Sequence, residues 1–221
     1  MKILYILLIA ICGLVACECP PSANTPKEII PSEYANICIF NAIYSNSDIN
    51  INTKYGVFLS GLRFQSFTPA YKNIGSGNNF IYCLNGSNTF YSASINFIKD
   101  KYYTAVIVGN EDDTGILLFS DSTAISGFNS SLFRFVNAMK FGDGLEFELS
   151  EMGKHKLKFG ESSPTAEITA GEANIIVRYE GEIIYNFEFI VQAGYKYTLL
   201  TYYNPAEKNK INLSFKIIEI P

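Results

Sequence analysis

The sequence predicts an all-β fold: two tandem antiparallel immunoglobulin-like β-sandwich domains behind a signal peptide and a Pro-rich tether. Three observations carry that prediction. The composition is one of strands and turns, with 48% hydrophobic and 14% aromatic residues, 16 glycines, and few Ala or Leu after the first 16 positions. Turn signals recur about every 8 to 12 residues, at Asn85-Gly86, Asp112-Asp113-Thr114-Gly115, Asp143-Gly144, Glu180-Gly181 and Asn204-Pro205. The chain also resembles itself at a period of about 95 residues.

Residues 1–16 read as a leader. Met1-Lys2 precedes an apolar run from Ile3 to Ala16, too short for the roughly 20 residues that span a bilayer as a helix and of the length of a signal-peptide core. The run ends Leu14-Val15-Ala16-Cys17, which resembles the lipobox of bacterial lipoproteins. The resemblance implies cleavage between Ala16 and Cys17 and lipidation of the Cys17 thiol and amino group. Each buried CH₂ contributes about 0.8 kcal/mol, so two or three acyl chains anchor a protein essentially permanently. The alternative is an ordinary secretory leader that leaves Cys17 for a disulfide. Residues 17–34 carry Pro20, Pro21, Pro26 and Pro31 without apolar periodicity, a stiff tether reaching about 3.1 Å per residue where it is polyproline-like.

Domain one is read at 35–122, a linker at 123–130 and domain two at 131–221. The repeat aligns Phe40-Asn41-Ala42 with Val136-Asn137-Ala138. Leu62-Arg63-Phe64 with Pro69 aligns with Leu157-Lys158-Phe159 with Pro164, and Ile74 to Gly77 aligns with Ile168 to Gly171. Ile95 with Tyr103-Thr104 aligns with Phe189 with Tyr197-Thr198. Within each copy, short alternating runs predict about seven strands. Candidates are 79–85, 89–97, 101–109 and 114–120 in the first copy, and 173–179, 182–190, 195–203 and 211–219 in the second. Ile37, Ile39 and Asn41 share one face, as do Phe133, Phe135 and Asn137, with Arg134 on the other. His155, Leu157 and Phe159 are expected inward and three lysines outward.

The strand ending in Asn-Ala, the Leu-x-Phe and Pro elements, and Tyr102 to Gly109 followed by Ile116-Leu117-Leu118-Phe119 resemble a bacterial domain of unknown function. That family occurs as tandem immunoglobulin-like modules on extracytoplasmic proteins, commonly lipoproteins. The resemblance spans about 35 to 219 and implies location and fold rather than activity. The family's first strand usually runs into His-Ala-Ser-Pro-Asp-Ala-Pro. This chain instead has Asn41-Ala42-Ile43-Tyr44-Ser45 and Asn137-Ala138-Met139-Lys140-Phe141.

The residue inventory bounds the chemistry. A net charge of −4 disfavours nucleic acid. The one histidine, His155, reads as structural, and Glu111-Asp112-Asp113 as a solvated hairpin tip rather than a calcium loop. No catalytic residue, metal ligand set or cofactor motif is expected. Tyr103 and Tyr197 open equivalent strands after turns and are expected to be structural tyrosine corners. Tyr71, Tyr82, Tyr91, Tyr179, Tyr202 and Tyr203 are the pool from which an exposed binding group would come. The expected function is a lipid-anchored, non-enzymatic envelope or surface protein that binds or spaces an extracytoplasmic protein or glycan. The alternative is a carbohydrate-binding or glycan-hydrolysing module using tyrosines and carboxylates.

Three cysteines remain once Cys12 and Cys17 are set aside: Cys19, Cys38 and Cys83. Cys38 is expected to point outward and Cys83 inward. Opposite faces forbid the Cβ separation of about 3.5 to 4.5 Å that a disulfide requires, so both are expected to be unpaired.

Overall fold

The computed structural model describes residues 30–44, 48–110, 113–121, 124–140, 144–209 and 211–220. The leader, its Ala16-Cys17 junction, Cys19 and the tether up to residue 29 lie outside the described residues. The first half carries β1 (Tyr34–Asn41), β2 (Ile49–Thr53), β3 (Gly56–Leu62), β4 (Lys72–Gly75), β5 (Gly77–Asn85), β6 (Asn88–Phe97), β7 (Tyr102–Asn110) and β8 (Asp113–Asp121). The second carries β9 (Ser130–Asn137), β10 (Leu145–Leu149), β11 (Gly153–Leu157), β12 (Ala166–Thr169), β13 (Gly171–Tyr179), β14 (Glu182–Val191), β15 (Lys196–Tyr203) and β16 (Leu213–Ile220). All regular structure among the described residues is strand, in four sheets of four ordered β4-β1-β7-β8, β3-β2-β5-β6, β12-β9-β15-β16 and β11-β10-β13-β14.

The second half repeats the first in detail. Burial alternates identically along β5 and β13, and again along β6 and β14. The β5–β6 and β13–β14 pairs each slip register at one equivalent step, after Cys83 and after Val177. Each half has eight strands rather than seven; four-residue β4 and β12 are too short for alternation to mark and precede β5 and β13 by a single residue. The sheets are also not purely antiparallel: β1 runs parallel to β7, and β9 to β15. Between them the chain passes to the second sheet for β2 and β3, returns for β4, and leaves again for β5 and β6, so that β7 starts at the same pole as β1.

Each half closes its own core. Ile37, Ile39, Ile49, Ile51, Ile81, Cys83, Ala105 and Ile107 meet between the two sheets of the first, and Phe133, Phe135, Phe147, Ile175, Val177 and Leu199 between those of the second. The alternate residues of β1, β7, β9 and β15 form a third cluster where the halves pack together. It contains Cys38, Phe40, Val106, Val108, Val136, Leu200 and Tyr202, with Phe119, Ile218 and Ile220. Cys38 and Arg134 do leave their own cores, but they are covered rather than solvated, at 0% and 5% exposure. Phe159 is corrected too: it packs on this third cluster, while Leu157 fills the core of the second half. Cys38 and Cys83 are both free, and burial pushes their thiols up to about 11 and about 12.

One ion pair sits inside this joint. Arg134 Nη2 lies 2.5 Å from Asp121 Oδ1, with both side chains 6% exposed. Asp121 Oδ2 accepts from Tyr71 Oη at 2.7 Å and Thr104 Oγ1 at 2.8 Å, and Arg134 Nε donates to Thr198 Oγ1 at 3.0 Å. Burial, then the Asp121 charge, pushes the Tyr71 phenol above its usual range, keeping it a donor. The pair crosses from β8 of one half to β9 of the other. The linker is fixed separately, by the Glu167 carboxylate accepting from Ser126 N–H and hydroxyl, Gly127 N–H and the Ser130 hydroxyl. Those bonds hold the exposed Glu167 carboxyl down at about 2.

Burying an apolar side chain is worth about 1.5–3 kcal/mol, whereas a buried ion pair breaks roughly even against its desolvation. The third cluster therefore supplies the adhesion and the pair supplies the alignment. Arg134→Ala is expected to destabilise the chain by about 3–5 kcal/mol in urea titrations by stranding Asp121. The double variant Arg134→Met, Asp121→Leu should cost less than that single change.

Candidate functional site

Asn41 and Asn137 end the first strands of the two halves with the same device. Asn41 Nδ2 donates to Leu62 C=O at 3.0 Å while its Oδ1 accepts from Ile43 N–H at 2.9 Å. Asn137 Nδ2 donates to Leu157 C=O at 3.1 Å and its Oδ1 accepts from Met139 N–H at 2.9 Å. Both asparagines are fully buried, so these bonds fix the chain direction leaving each strand. Three residues after each asparagine the chain presents Tyr44 in one half and Lys140 in the other.

Both residues open onto one cleft between the halves. It has a volume of about 490 Å³, and its lining includes Ala42, Ala138, Tyr44, Lys140, Tyr203 and Pro205. The tip of the β7–β8 hairpin completes it with Gly109, Asn110 and Asp113. Gly109 has φ +99°, and a Cβ there would fall 1.9 Å from the Asp113 carbonyl oxygen, so the hairpin closes only with glycine at this place. Asn110 Oδ1 accepts from Asp113 N–H at 2.9 Å. The cleft gathers the ends of β1, β7, β9 and β15, so both halves point the same way. Ile30 and Tyr34, where the described chain enters, lie at the opposite pole.

Tyr44 and Tyr203 are 48% and 39% exposed, which makes them available surface rather than core. Tyr44 is nonetheless held: its ring meets Phe64 edge-on at 5.3 Å, Phe64 meets Tyr202 edge-on at 5.9 Å, and Tyr202 meets Phe40 at 5.4 Å. A row of rings thus runs from the cleft into the joint. Asp113 and Lys140, from different halves, form an ion pair across the cleft. Their side chains are 66% and 39% exposed, so the pair contributes about 0–1 kcal/mol to stability. Its consequence is that the cleft wall carries no net charge from these two groups.

Of the residues singled out in the sequence, Asp113 and Tyr203 line the cleft and the other described ones lie elsewhere. Tyr103 Oη accepts from Ile98 N–H at 3.1 Å and Tyr197 Oη from Gln192 N–H at 3.0 Å, each closing the loop five residues upstream near the entry pole. Burial raises the Tyr197 phenol above its usual value. His155 is half-buried, with Nε2 3.1 Å from Met152 C=O and its ring 6.1 Å from Phe135. Of Glu111-Asp112-Asp113, only Asp113 is described. Cys17 and Ala16 lie outside the described residues. Of the six tyrosines in the sequence pool, Tyr203 reaches the cleft, Tyr202 is buried beneath it, and Tyr71, Tyr82, Tyr91 and Tyr179 are half-buried. Tyr44 and Lys140 were not singled out by the sequence, although both fall in the segments where the chain departs from the motif of the family it resembles. Among the described residues there is no group of three His, Cys, Asp or Glu that could hold a metal ion.

Residues 35–142 match a family described as "Domain of unknown function (DUF4397)". The match covers the first half, β9 and Lys140, and stops short of 219, although the strand order continues through the second half. No curated protein matches the chain. Among solved structures, one described as "Alpha-glucan binding by a streptococcal virulence factor" is 11% identical, covering 75% of this chain and 93% of that one at a TM-score of 0.25. That score is below the level at which two chains share a fold.

Tyr103→Phe and Tyr197→Phe are each expected to lose about 1 kcal/mol of stability in urea unfolding, the usual net worth of one hydrogen bond. Neither change should alter binding at the cleft, which is at the far pole.

Proposed function

We propose that this chain is a lipid-anchored, non-enzymatic protein of the cell envelope that binds an extracytoplasmic partner in the cleft between its two halves. The observation that carries the reading is the cleft itself: a concave site of about 490 Å³ in which two exposed tyrosines and three convergent polar residues meet. That size and mixture are those of a ligand pocket. The lipobox-like Leu14-Val15-Ala16-Cys17 supports anchoring. The entry of the described chain at the pole away from the cleft supports a cleft that faces outward from the membrane.

Two features support binding over turnover. His155 is engaged by a backbone carbonyl, and the Asp113 carboxylate is paired with Lys140. Hydrolysis of a glycoside needs two carboxylates flanking one bond, and among the described lining residues Asp113 is the only carboxylate.

Anchoring is checked by fractionation. Cys17→Ser is expected to release the protein from membranes and to abolish fatty-acid labelling, and label retained in the variant would refute the anchor. Binding is checked with the full chain, held in a detergent that carries no sugar, on a mixed array of glycans and peptides. The double variant Tyr44→Ala, Tyr203→Ala should lose the signal. Signal that survives in this variant places binding outside the cleft.

A further inference from the structure

We infer that the ligand of this cleft is a neutral glycan segment, held between the faces of Tyr44 and Tyr203 and hydrogen-bonded by Asp113, Lys140 and Asn110. The inference rests on the cleft being the binding site and adds the chemical class. It starts from charge. Among the described lining residues the charged groups are Asp113 and Lys140, which offset one another, so the described wall offers a charged ligand no net opposite charge. A ligand without charge leaves the pair intact and uses what remains of it. A carboxylate has about four lone-pair sites and an ammonium three N–H groups, so one partner satisfies neither.

That arrangement matches vicinal hydroxyls. A sugar hydroxyl donates once and accepts as well, so two neighbouring hydroxyls engage a carboxylate and an ammonium together, one donating and one accepting. The floor and rim suit the rest of a pyranose. Ala42, Ala138 and Gly109 belong to the two smallest residue types, so these parts of the lining carry little side chain to obstruct a ring. The ring C–H groups of a pyranose carry slight positive charge and pack on the negative face of an aromatic ring. Tyr44 is backed by Phe64, so its ring is ordered before the ligand arrives and less freedom is lost on binding.

The features also separate a glycan from an extended peptide. A peptide gains most of its affinity by adding a strand to a sheet edge. At this hairpin tip, Asp113 N–H is bonded to Asn110 Oδ1, and the Asn110 carbonyl accepts from the Thr114 hydroxyl. Those two backbone groups are already engaged, so the hairpin tip offers a ligand its side chains rather than these strand-end groups.

The test uses the full chain in a detergent without a sugar headgroup, titrated calorimetrically with neutral oligosaccharides of glucose, galactose, mannose and N-acetylglucosamine. Polygalacturonate and an apolar peptide serve as contrasts. At least one neutral oligosaccharide is expected to bind with little dependence on salt, since no counterion is released. Tyr44→Ala and Tyr203→Ala should each weaken it about tenfold or more, the loss typical of an anchor residue. Tyr44→Phe should keep it, because the ring face is unchanged. Lys140→Met should weaken neutral glycan binding, whereas polygalacturonate should bind neither protein. Both tyrosines are exposed, and unchanged thermal unfolding would establish that the variants fold. If only the peptide binds, and Tyr44→Ala abolishes it, the cleft stands and the glycan class falls. If a glycan binds equally to wild type and to both tyrosine variants, the cleft reading falls. Binding of none of the neutral sugars overturns the inference.

Discussion

The molecule depends on burying the first-strand sheets on both faces. A β-sandwich ordinarily leaves the outer faces of its sheets to water, and alternate residues are then polar. Here Cys38, Phe40, Val106 and Val108 of one half meet Val136, Leu200 and Tyr202 of the other, so neither outer face is solvated. Each half alone would expose this apolar surface. The two are therefore expected to behave as one cooperative unit, in which separation exposes a continuous apolar patch.

The candidate site follows from that packing. Ala42 and Tyr44 belong to one half and Ala138, Lys140 and Tyr203 to the other, so the cleft exists only while the joint is closed. The ring row Tyr44, Phe64, Tyr202 and Phe40 links the cleft physically to the buried cluster. The Arg134–Asp121 pair, with Tyr71, Thr104 and Thr198 around it, fixes how the two sheets register against each other. Apolar contact by itself is non-directional and tolerates sliding. A buried pair that must meet does not.

The two halves carry the same strand-end device and differ just beyond it. Asn41 and Asn137 make the same two hydrogen bonds, but the residue three places on is an aromatic in one copy and a cation in the other. Divergence at an equivalent position is what allows a site between repeats to be chemically asymmetric. A site built from two identical loops would carry two like groups, whereas this one pairs a ring face with an ammonium.

The sequence by itself determined the repeat and the longer strands, because alternation and turn residues act over a few positions, whereas short strands such as β2, β4, β10 and β12 gave no run long enough to read. The runs read at 89–97 and 182–190 correspond to β6 and β14 within a residue or two. It also determined which side chains leave each core: Cys38 and Arg134 alternate away from Ile37 and Phe133. What covers them was decided by tertiary structure, because alternation defines two faces of a strand and is silent about what packs on the second. The parallel pairing of β1 with β7 was hidden for a related reason: turn chemistry specifies only neighbours joined by a hairpin. Tyr44, Lys140, Asp113 and Tyr203 are scattered over 160 positions from Tyr44 to Tyr203. No local pattern links them, and they become one site only when the sheets of the two halves share a buried face.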